Sequence, residues 1–394
     1  MSDAEFRFAA ALSTVEDADT AFAEVVAQVE TSLGGPPDLV VAFYTHHHGP
    51  AIDAFPRRLH DRWQPKALIG CTGESIVGNR REVETSAALA VWGARLPGVS
   101  LETMHLEFQR TPEGPAITGW PESTTADWPD HATLLVLGEP FSFPADWFLE
   151  RINHDRPGTT VCGGMAGGAF GPGKNRVAVG PQSFSSGAAA VLLHGPIDVR
   201  TVVSQGCRPI GRPYVVTKAE QQMIQELAGK PPLVQLHELF KELSEADREL
   251  VSKGIHVGRV VDEYKGATGR GDFLVRNVIG ADRESGGLAV ADFMRRGQTV
   301  QFHVRDAAGA DEDLRELLAS VDTTFTPEAG LLFTCNGRGS RLFDVPDHDA
   351  AAVNDVWPDL PLAGFFAQGE LGPVGGKNFM HGFTASLALF GRKR

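Results

Sequence analysis

PLAGFFAQGELGPVGGKNFMHGFTASLALF, residues 361–390, joins two apolar runs through two glycine-rich turns. Six of these residues are glycine, and Glu370, Lys377, Asn378 and His381 lie in or beside the turns. Glycine is needed where backbone must approach backbone or a ligand closely, because it has no side chain to obstruct the approach. The segment therefore predicts two strands whose connecting turns form one wall of a small-molecule site.

The same order of strand, helix, strand, glycine-rich turn and long strand occurs twice earlier, at residues 39–108 and 134–203. A third copy begins near Leu331 and ends with the quoted segment. Strands that alternate with helices favour partly parallel sheets. The sequence thus predicts a mixed α+β fold of the α/β type, with internally duplicated strand-helix-strand units forming mixed sheets and with helices outside.

The turns of the copies also share letters. Gly73-Glu74 resembles Gly369-Glu370, and GPGKN at 171–175 resembles GPVGGKN at 372–378. After the first turn, two apolar runs joined at Leu96-Pro97-Gly98 predict an antiparallel strand pair. If the copies are equivalent, their turns converge, and a ligand site would lie at that convergence.

Different material separates the second and third copies. Thr217 and Glu220 have the spacing of a capping box and predict a helix that ends at Gly229. Pro232 and Ser244 are expected to begin two further helices, and four strands should follow. We expect two closely packed domains, an N-terminal one at residues 1–212 and a C-terminal one at 213–394.

The length, net charge and composition of the chain exclude several classes of protein. A chain of 394 residues is too long for one ordinary core. Its net charge of −14 leaves no basic face for nucleic acid or an anionic membrane. No apolar run is long enough to span a bilayer, and the N-terminus does not resemble a secretory signal. Four cysteines without a CxxC pair fit free thiols in a reducing cytoplasm.

A phosphate loop is the first motif to weigh. Residues 168–174, GAFGPGK, fit the pattern G-x-x-x-x-G-K, but Asn175 stands where Ser or Thr should hold magnesium. The next residues predict a strand and not the required helix. We expect no nucleotide cofactor here; a solvated turn or an anion-binding nest of amides are the alternatives.

Three cysteines, Cys71, Cys162 and Cys335, end strands just before glycine turns. Backbone amides at such a position can activate a thiolate, which leaves a Cys/His-dependent enzyme open. Cysteine is also a small core residue, so structural roles are the alternative. The sequence identifies no catalytic residue.

Histidines and carboxylates offer weaker signals. His46 and His48 would share a face of an extended strand and could bind a metal, but a solvated loop is the alternative and no metal site is expected. Glu74 and Glu370 each lie in a glycine turn at a strand end, so both could face one cleft. As residues of surface turns they would be ordinary.

Arginines among apolar residues need a buried partner or a ligand. Arg338, in CNGRG at 335–339, could hold a carboxylate or phosphate with its planar fork, and Arg276 interrupts an apolar strand. An internal Arg–Asp pair is the alternative. The candidate ligand-binding residues share a place in or beside a strand end or turn: Cys71, Glu74, Cys162, Gly163, Arg276, Cys335, Asn336, Arg338, Glu370, Asn378 and His381.

Five stretches together resemble the FIST family: GCTGE at 70–74, CGGMAGG at 162–168, FLVRNVIG at 273–280, FTCNGRG at 333–339 and the segment 364–390. The resemblance covers an N-terminal FIST and a C-terminal FIST_C domain, nearly the whole chain. It implies an intracellular sensory module for small ligands, proposed to include amino acids, that signals through a partner. It implies no catalytic residues.

These observations favour a cytoplasmic small-ligand sensor in signal transduction, binding an amino acid or related metabolite against the glycine turns. Its partners would be that ligand and an unknown signalling protein, with no nucleic acid, membrane or cofactor. The alternatives are an enzyme that uses a strand-end cysteine, and a ligand-independent protein-interaction scaffold.

Overall fold

The structure, a computed structural model, describes residues 5–126, 128–265, 269 and 271–393. Contacts divide the chain into two compact units. One unit comprises Met1–Val203, Glu316–Met380 and Thr384–Arg394, and the other comprises Ser204–Arg315 and His381–Phe383. The division of the sequence at residue 212 stays a prediction, since these contact-defined units cannot be separated by a single cut.

The elements follow the mixed α+β class that the sequence predicts. The strands are β1 (Arg7–Ser13), β2 (Leu39–Thr45), β3 (Ala67–Gly73), β4 (Ile76–Gly78), β5 (Arg81–Val83), β6 (Leu89–Arg95), β7 (Ser100–Thr111), β8 (Gly114–Thr118), β9 (Thr133–Gly138), β10 (Thr160–Met165), β11 (Val177–Val179), β12 (Gln182–Phe184), β13 (Ala188–His194), β14 (Ile197–Gln205), β15 (Cys207–Glu220), β16 (Met223–Leu227), β17 (His256–Val260), β18 (Phe273–Ala281), β19 (Leu288–Val290), β20 (Thr299–Arg305), β21 (Ala329–Cys335), β22 (Leu362–Ala367), β23 (Glu370–Val374), β24 (Lys377–His381) and β25 (Thr384–Arg392). The helices are α1 (Ala18–Leu33), α2 (Phe55–Trp63), α3 (Glu122–Ala126), α4 (Ala145–Asp155), α5 (Pro232–Glu242), α6 (Glu245–Lys253), α7 (Ala307–Ala319) and α8 (His348–Val356), with short 3-10 helices at His46–Asp53 and Gly339–Arg341.

Three β-α-β units form the frame of the first unit, as the repeat predicts. In each, a helix connects two parallel strands: α2 connects β2 and β3, α4 connects β9 and β10, and α8 connects β21 and β22. These strands are buried along nearly their whole length. Parallel strands covered on both faces require such near-continuous apolar sequence.

The three copies exchange hairpins in a cycle. Each second strand is followed by a hairpin, β4–β5, β11–β12 or β23–β24, which we call the exchanged hairpins. The hairpin of the first copy pairs with β22 of the third, that of the second with β3 of the first, and that of the third with β10 of the second. Every sheet is thus completed by a neighbouring copy.

The resulting sheets have related orders. They are β1-β6-β2-β3-β11-β12, then β24-β23-β10-β9-β13-β7-β8, and β14-β25-β21-β22-β4-β5. The predicted pairing of the strands around Leu96-Pro97-Gly98 is wrong, because β6 and β7 belong to different sheets. β6 already lies between β1 and β2, which occupy both of its edges, so β7 pairs with β13 and β8.

One apolar core fills the space between the three sheets. Phe43 of the first sheet stacks on Phe365 of the third at 5.2 Å between ring centroids and meets Phe333 edge-on. Leu135 and Cys162 bring the second sheet to the same cluster. Helices α1, α2 and α4 cover outer faces of the sheets, as expected. No helix in the described residues has both the length and the hydrophobicity of a membrane span.

The second unit contains a closed barrel of β15, β16, β19, β18, β17 and β20 in that order. The helix predicted from Thr217 and Glu220 is wrong, because these residues lie in β15, which pairs with β16. The local capping pattern loses to pairing with β16 and β20, and Gln221 makes the turn with φ of 52°. Pro232 and Ser244 do begin α5 and cap α6.

The similar residues of the turns at 171–175 and 372–378 do not occupy equivalent positions in the structure. Residues 171–175 belong to the long connection that precedes β11, whereas residues 372–378 run through the β23–β24 hairpin. The two segments differ because the connections from second strand to hairpin differ in length among the copies. Only the position of the turns after the second strands is shared.

Asn378 anchors the third copy's hairpin to the second copy. Its side-chain Nδ2 donates to the Thr159 carbonyl at 2.8 Å and to Asn153 Oδ1 at 3.0 Å. Its Oδ1 accepts from the Val161 backbone N–H at 2.8 Å. The side chain therefore acts as a substitute strand partner where β10 begins.

We predict that Asn378→Ala lowers the free energy of unfolding by about 3 kcal/mol, because it leaves a buried N–H and a buried carbonyl without partners. Urea denaturation followed by circular dichroism measures the change. Lys377→Ala, at the exposed neighbouring position, should change stability little. Equal stability of the two variants would contradict the anchoring role.

Candidate functional site

The carboxyl ends of the parallel strands lie together at one end of the first unit's core. The strand registers pair Thr45 with Gly73, Gly138 with Met165, and Cys335 with Ala367. His46, Glu139 and Asn336, each directly after a first strand, are therefore equivalent positions of the three copies. Ligands of parallel α/β sheets bind at this end, where loops leave the strands.

Connections that belong to all three copies meet at Gly167. A Cβ placed on Gly167 would lie 3.4 Å from Asn336 Nδ2 and 3.5 Å from the backbone nitrogen of Glu74. The Gly167 N–H itself donates to the Thr72 carbonyl at 3.0 Å. The convergence that the repeat predicts is thus present for Gly73-Glu74 and the connection after β10, whereas residues 372–378, expected at the same place, lead to Asn378 at the beginning of β10. We call Glu74, Gly167, Asn336 and Arg341 the turn cluster.

The turn cluster contains a cation, an anion and an unused acceptor. Arg341 donates from Nη1 to the Asn336 carbonyl at 2.7 Å and from Nη2 to the Glu74 carboxylate. Its side chain is 54% exposed and that of Glu74 is 24% exposed, so both remain accessible. Within the described part of the chain, the buried Asn336 Oδ1 has no hydrogen-bond partner. Such a set can hold a small ligand that carries donors and an acidic group.

Arg341 was missed by sequence reasoning. It lies three residues after Arg338 in the connection from β21 to α8, within the 3-10 helix Gly339–Arg341. The available signal was length, because this connection is longer than the corresponding ones after β2 and β9. Long connections at the carboxyl ends of strands often carry function.

Cys335 and Glu370 form a second polar feature beside the cluster. Glu370 is fully buried, and Thr384 donates to its Oε2 from the backbone at 3.1 Å and from Oγ1 at 2.7 Å. Burial raises the pKa of Glu370 to about 8, although the hydrogen bonds from Thr384 and the Cys335 thiol lower it. The carboxyl is therefore mostly protonated at neutral pH. Cys335 is partly exposed, and the Gly337 N–H lies 3.4 Å from its sulfur.

Arg338 forms an internal pair, the alternative left open by its sequence. Nε and Nη2 each donate to the Asp349 carboxylate at 2.7 Å, and both side chains are fully buried. Thr334 and His348 also bond Asp349, and the Arg338 guanidinium holds the pKa of Asp349 far below its usual range against the effect of burial. Arg338 thus fixes the shape of the connection that carries Asn336 and Arg341.

Two of the three strand-end cysteines are core residues. Cys71 in β3 and Cys162 in β10 are fully buried, and burial raises the pKa of both thiols, that of Cys162 to about 12. Gly163 has φ of +138°, and a Cβ there would lie 1.9 Å from the Val136 carbonyl oxygen. Its glycine therefore allows close approach of two strands.

Three candidate positions remain, and they belong to other parts of the chain. Asn378 uses its amide at the beginning of β10, opposite the strand ends. Arg276 and His381 belong to the second unit, where Arg276 pairs with Asp292 at 3.6 Å and His381 is buried. Of the candidate residues, the structure brings together Glu74, Cys335, Asn336 and Glu370. Arg338 supports them through its ion pair with Asp349.

The glycine-rich loop lacks the helix that a phosphate loop requires, and the solvated loop expected for His46 and His48 is wrong, because His48 is buried within the 3-10 helix His46–Asp53. Residues 168–174 lead into β11 and not into a helix, and Asn175 is buried, where its Nδ2 meets Glu139 Oε1 at 3.4 Å. His48 Nδ1 lies 3.2 Å from the Glu16 carbonyl. Burial lowers the pKa of His46. In the described residues, no three His, Cys, Asp or Glu side chains are grouped to hold a metal ion.

Comparison with known proteins identifies relatives along nearly the whole chain. Residues 38–230 match the family model of the FIST N domain, and residues 233–373 match that of the FIST C domain. The chain is 45% identical to the uncharacterized protein Rv0628c of Mycobacterium tuberculosis over 98% of its own length and 99% of that protein. It is 42% identical to the uncharacterized protein Mb0898c of Mycobacterium bovis, covering 98% of each.

We predict that iodoacetamide labels Cys335 alone in the native protein, since the other three cysteines are buried. Mass spectrometry of tryptic peptides after brief labelling identifies the site, and labelling in urea gives the control in which all four react. Rapid native labelling of Cys71 or Cys162 would contradict their place in the core.

We predict that Glu370 makes the protein less stable as pH rises from about 5 to 8. The folded state keeps the carboxyl proton up to its pKa of about 8, whereas the unfolded state releases it near 4.5. The unfolded state then binds fewer protons, so this group lowers the free energy of unfolding by up to about 1.4 kcal/mol per pH unit.

Glu370→Gln should remove that part of the slope, because the amide keeps an acceptor for Thr384 and does not titrate. Denaturation midpoints measured across this pH range test the change. Glu238→Gln is the control, since Lys230 lowers the pKa of Glu238, which titrates below the window. An unchanged slope in Glu370→Gln would show that the carboxyl is ionised in the folded state.

Proposed function

This chain belongs to the FIST family, and we propose that it is a cytoplasmic sensory protein that binds a small ligand at the turn cluster. FIST domains are generally associated with sensory signal transduction. The observation that carries the proposal is the meeting of Glu74, Gly167 and Asn336, one residue from each copy. A ligand bound there would contact all three sheets at once.

The polar groups of the cluster support an amino acid or related metabolite as the ligand. Glu74 and Asn336 Oδ1 are acceptors suited to an ammonium group. Arg341 presents a planar fork that suits a carboxylate. The Arg341–Glu74 ion pair would open to receive both groups of the ligand. An ion pair of this exposure is weak, with a typical stabilisation of about 0–1 kcal/mol, so opening it costs little.

Signal output would require a partner protein. Phe141 and Phe170 are 48% and 80% exposed in loops that leave the carboxyl ends of the second copy's strands. Asn175 links these loops, since it bonds both Glu139 and Ala169. Exposed aromatic side chains next to a ligand site are suited to partner contact, and a ligand that moves the loops would change that surface.

Cys335 supports a second candidate function, thiol chemistry on a small metabolite. The specific observation is its pairing with Glu370, whose pKa of about 8 suits proton exchange with a thiol near neutral pH. The acid–base neighbour would thus be a carboxyl and not the histidine expected from sequence. Turnover of a bound ligand that is lost in Cys335→Ser would favour this function over sensing.

Native mass spectrometry and thermal shift test the first proposal. Freshly purified protein should retain a small molecule, and a panel of amino acids and related metabolites should contain at least one that raises the melting temperature. A ligand at one hundred times its dissociation constant stabilises by about 2.7 kcal/mol if it binds the folded state alone. A complete panel without any shift would count against a sensor.

Variants then locate the site. We predict that Arg341→Gln and Asn336→Ala each weaken the stabilising ligand by about tenfold or more, because each removes a hydrogen-bonding group that the ligand uses. Arg315→Gln is the matched control, since Arg315 is a similarly exposed arginine paired with Asp311 on α7. Equal affinity in all three variants would place the ligand elsewhere.

A further inference from the structure

A separate cavity of about 570 Å³ lies on the outer side of the second sheet, in the first unit. Its apolar wall contains Trp120, Trp128, Trp147 and Phe148, and Ile117 of β8 also lines it. Sites for drug-sized ligands typically measure about 300–1,000 Å³ and are lined mainly by apolar and aromatic side chains. The volume and the lining of this cavity both fall within that class.

The aromatic side chains of the wall pack against one another and hold a fixed arrangement. Trp120 lies almost parallel to Phe148, with an interplanar angle of 16°, and meets Trp128 edge-on at 5.8 Å. Trp147 meets Phe108 edge-on. All three tryptophans are partly exposed, so each presents part of its ring to solvent. Half of the chain's six tryptophans thus line one cavity.

The cavity also offers donors and positive charge. Trp128 uses its indole N–H on Thr159 Oγ1 at 2.8 Å, but within the described residues the indole N–H groups of Trp120 and Trp147 donate to no protein atom. The charged lining residues are Arg151, Asp155 and Arg156, a net charge of about +1. Arg156 lies over the Trp128 ring at 5.3 Å, and Arg151 pairs with Asp155 at 2.6 Å.

This cavity is distinct from the turn cluster. Arg151, Asp155 and Arg156 lie in or just after the last turn of α4. The helix begins after the carboxyl end of β9 and runs back along the sheet, so its last turn lies toward the opposite end of the strands. A ligand in the cavity would not compete with one at the turn cluster.

We propose that the cavity is a second binding site, for a planar aromatic molecule that carries a carboxylate. The ring system would stack on the accessible parts of Trp120 and Trp128, and the carboxylate would reach Arg151 and Arg156. Stacking on aromatic faces rewards flat ligands, and the two arginines select an acidic group. Asp155 restrains Arg151 and limits the affinity for an anion.

Fluorine NMR of protein labelled with fluorotryptophan tests the site with naphthoate as the probe. Six resonances are expected, and naphthoate should shift those of Trp120, Trp128 and Trp147 in a saturable way. Resonances of Trp63, Trp92 and Trp357 should not move. Naphthalenemethanol, which has the same ring system without the charge, should bind at least about fivefold more weakly than naphthoate. Absence of saturable shifts, or equal shifts of all six resonances, would overturn the proposal.

Two variants that change the charge of the cavity lining in opposite directions sharpen the test. Arg151→Gln should weaken naphthoate binding by about three- to tenfold, and Asp155→Asn should tighten it, because the rim becomes less and more positive respectively. Ile117→Trp should fill part of the cavity and abolish binding, with dispersed resonances confirming that the protein is folded. Equal affinity in Arg151→Gln and Asp155→Asn would overturn the role of the charges. Arg341→Gln, at the turn cluster, should leave naphthoate binding unchanged.

Discussion

The free edges of β3, β10 and β22 impose the constraint on which the first unit depends. An unpaired strand edge leaves backbone N–H and C=O groups without partners and invites aggregation. Each of these edges receives an exchanged hairpin from another copy. The backbone hydrogen bonds therefore connect the three copies in a closed cycle, and no copy can leave without exposing two edges. The shared core around Phe43, Phe333 and Phe365 follows from this linkage.

The same exchange creates the turn cluster. A chain that leaves a second strand must cross to the neighbouring sheet before its hairpin begins, so all three crossings pass over one end of the core. They come so close that a Cβ on Gly168 would lie 2.8 Å from the Gly73 carbonyl oxygen. Polar groups at the crossings are then partly withdrawn from water. The buried Arg338–Asp349 pair supports the adjoining connection from β21 to α8.

Local patterns in the sequence predict local structure well. The three β-α-β units, Pro232 at the start of α5 and Ser244 as the cap of α6 could all be read from spacing and residue type. The pairing of strands that are distant in sequence could not be predicted, because nothing in the residues of β4 indicates that it pairs with β22. Thr217 and Glu220 were misread for another reason: their strand turns back at once to pair with β16, so that Glu220 lies opposite Met223. The alternatives for Arg338 and Cys162 depended on burial, which no single sequence states, and the turn cluster was predicted as a place but without Arg341.

The cyclic exchange also determines when the protein can fold during synthesis. Glu82, in β5 of the first hairpin, accepts from the Ala350 N–H, which is 268 residues further along the chain. On the ribosome this hairpin must wait, solvated, until almost the whole polypeptide has emerged. The barrel strands β15 to β20 are contiguous and can pair long before then. Because synthesis proceeds from the N-terminus, the N-terminal domain of a protein usually folds first. Here the unit that begins first is completed last. Its unpaired strand edges therefore depend on chaperones for most of translation.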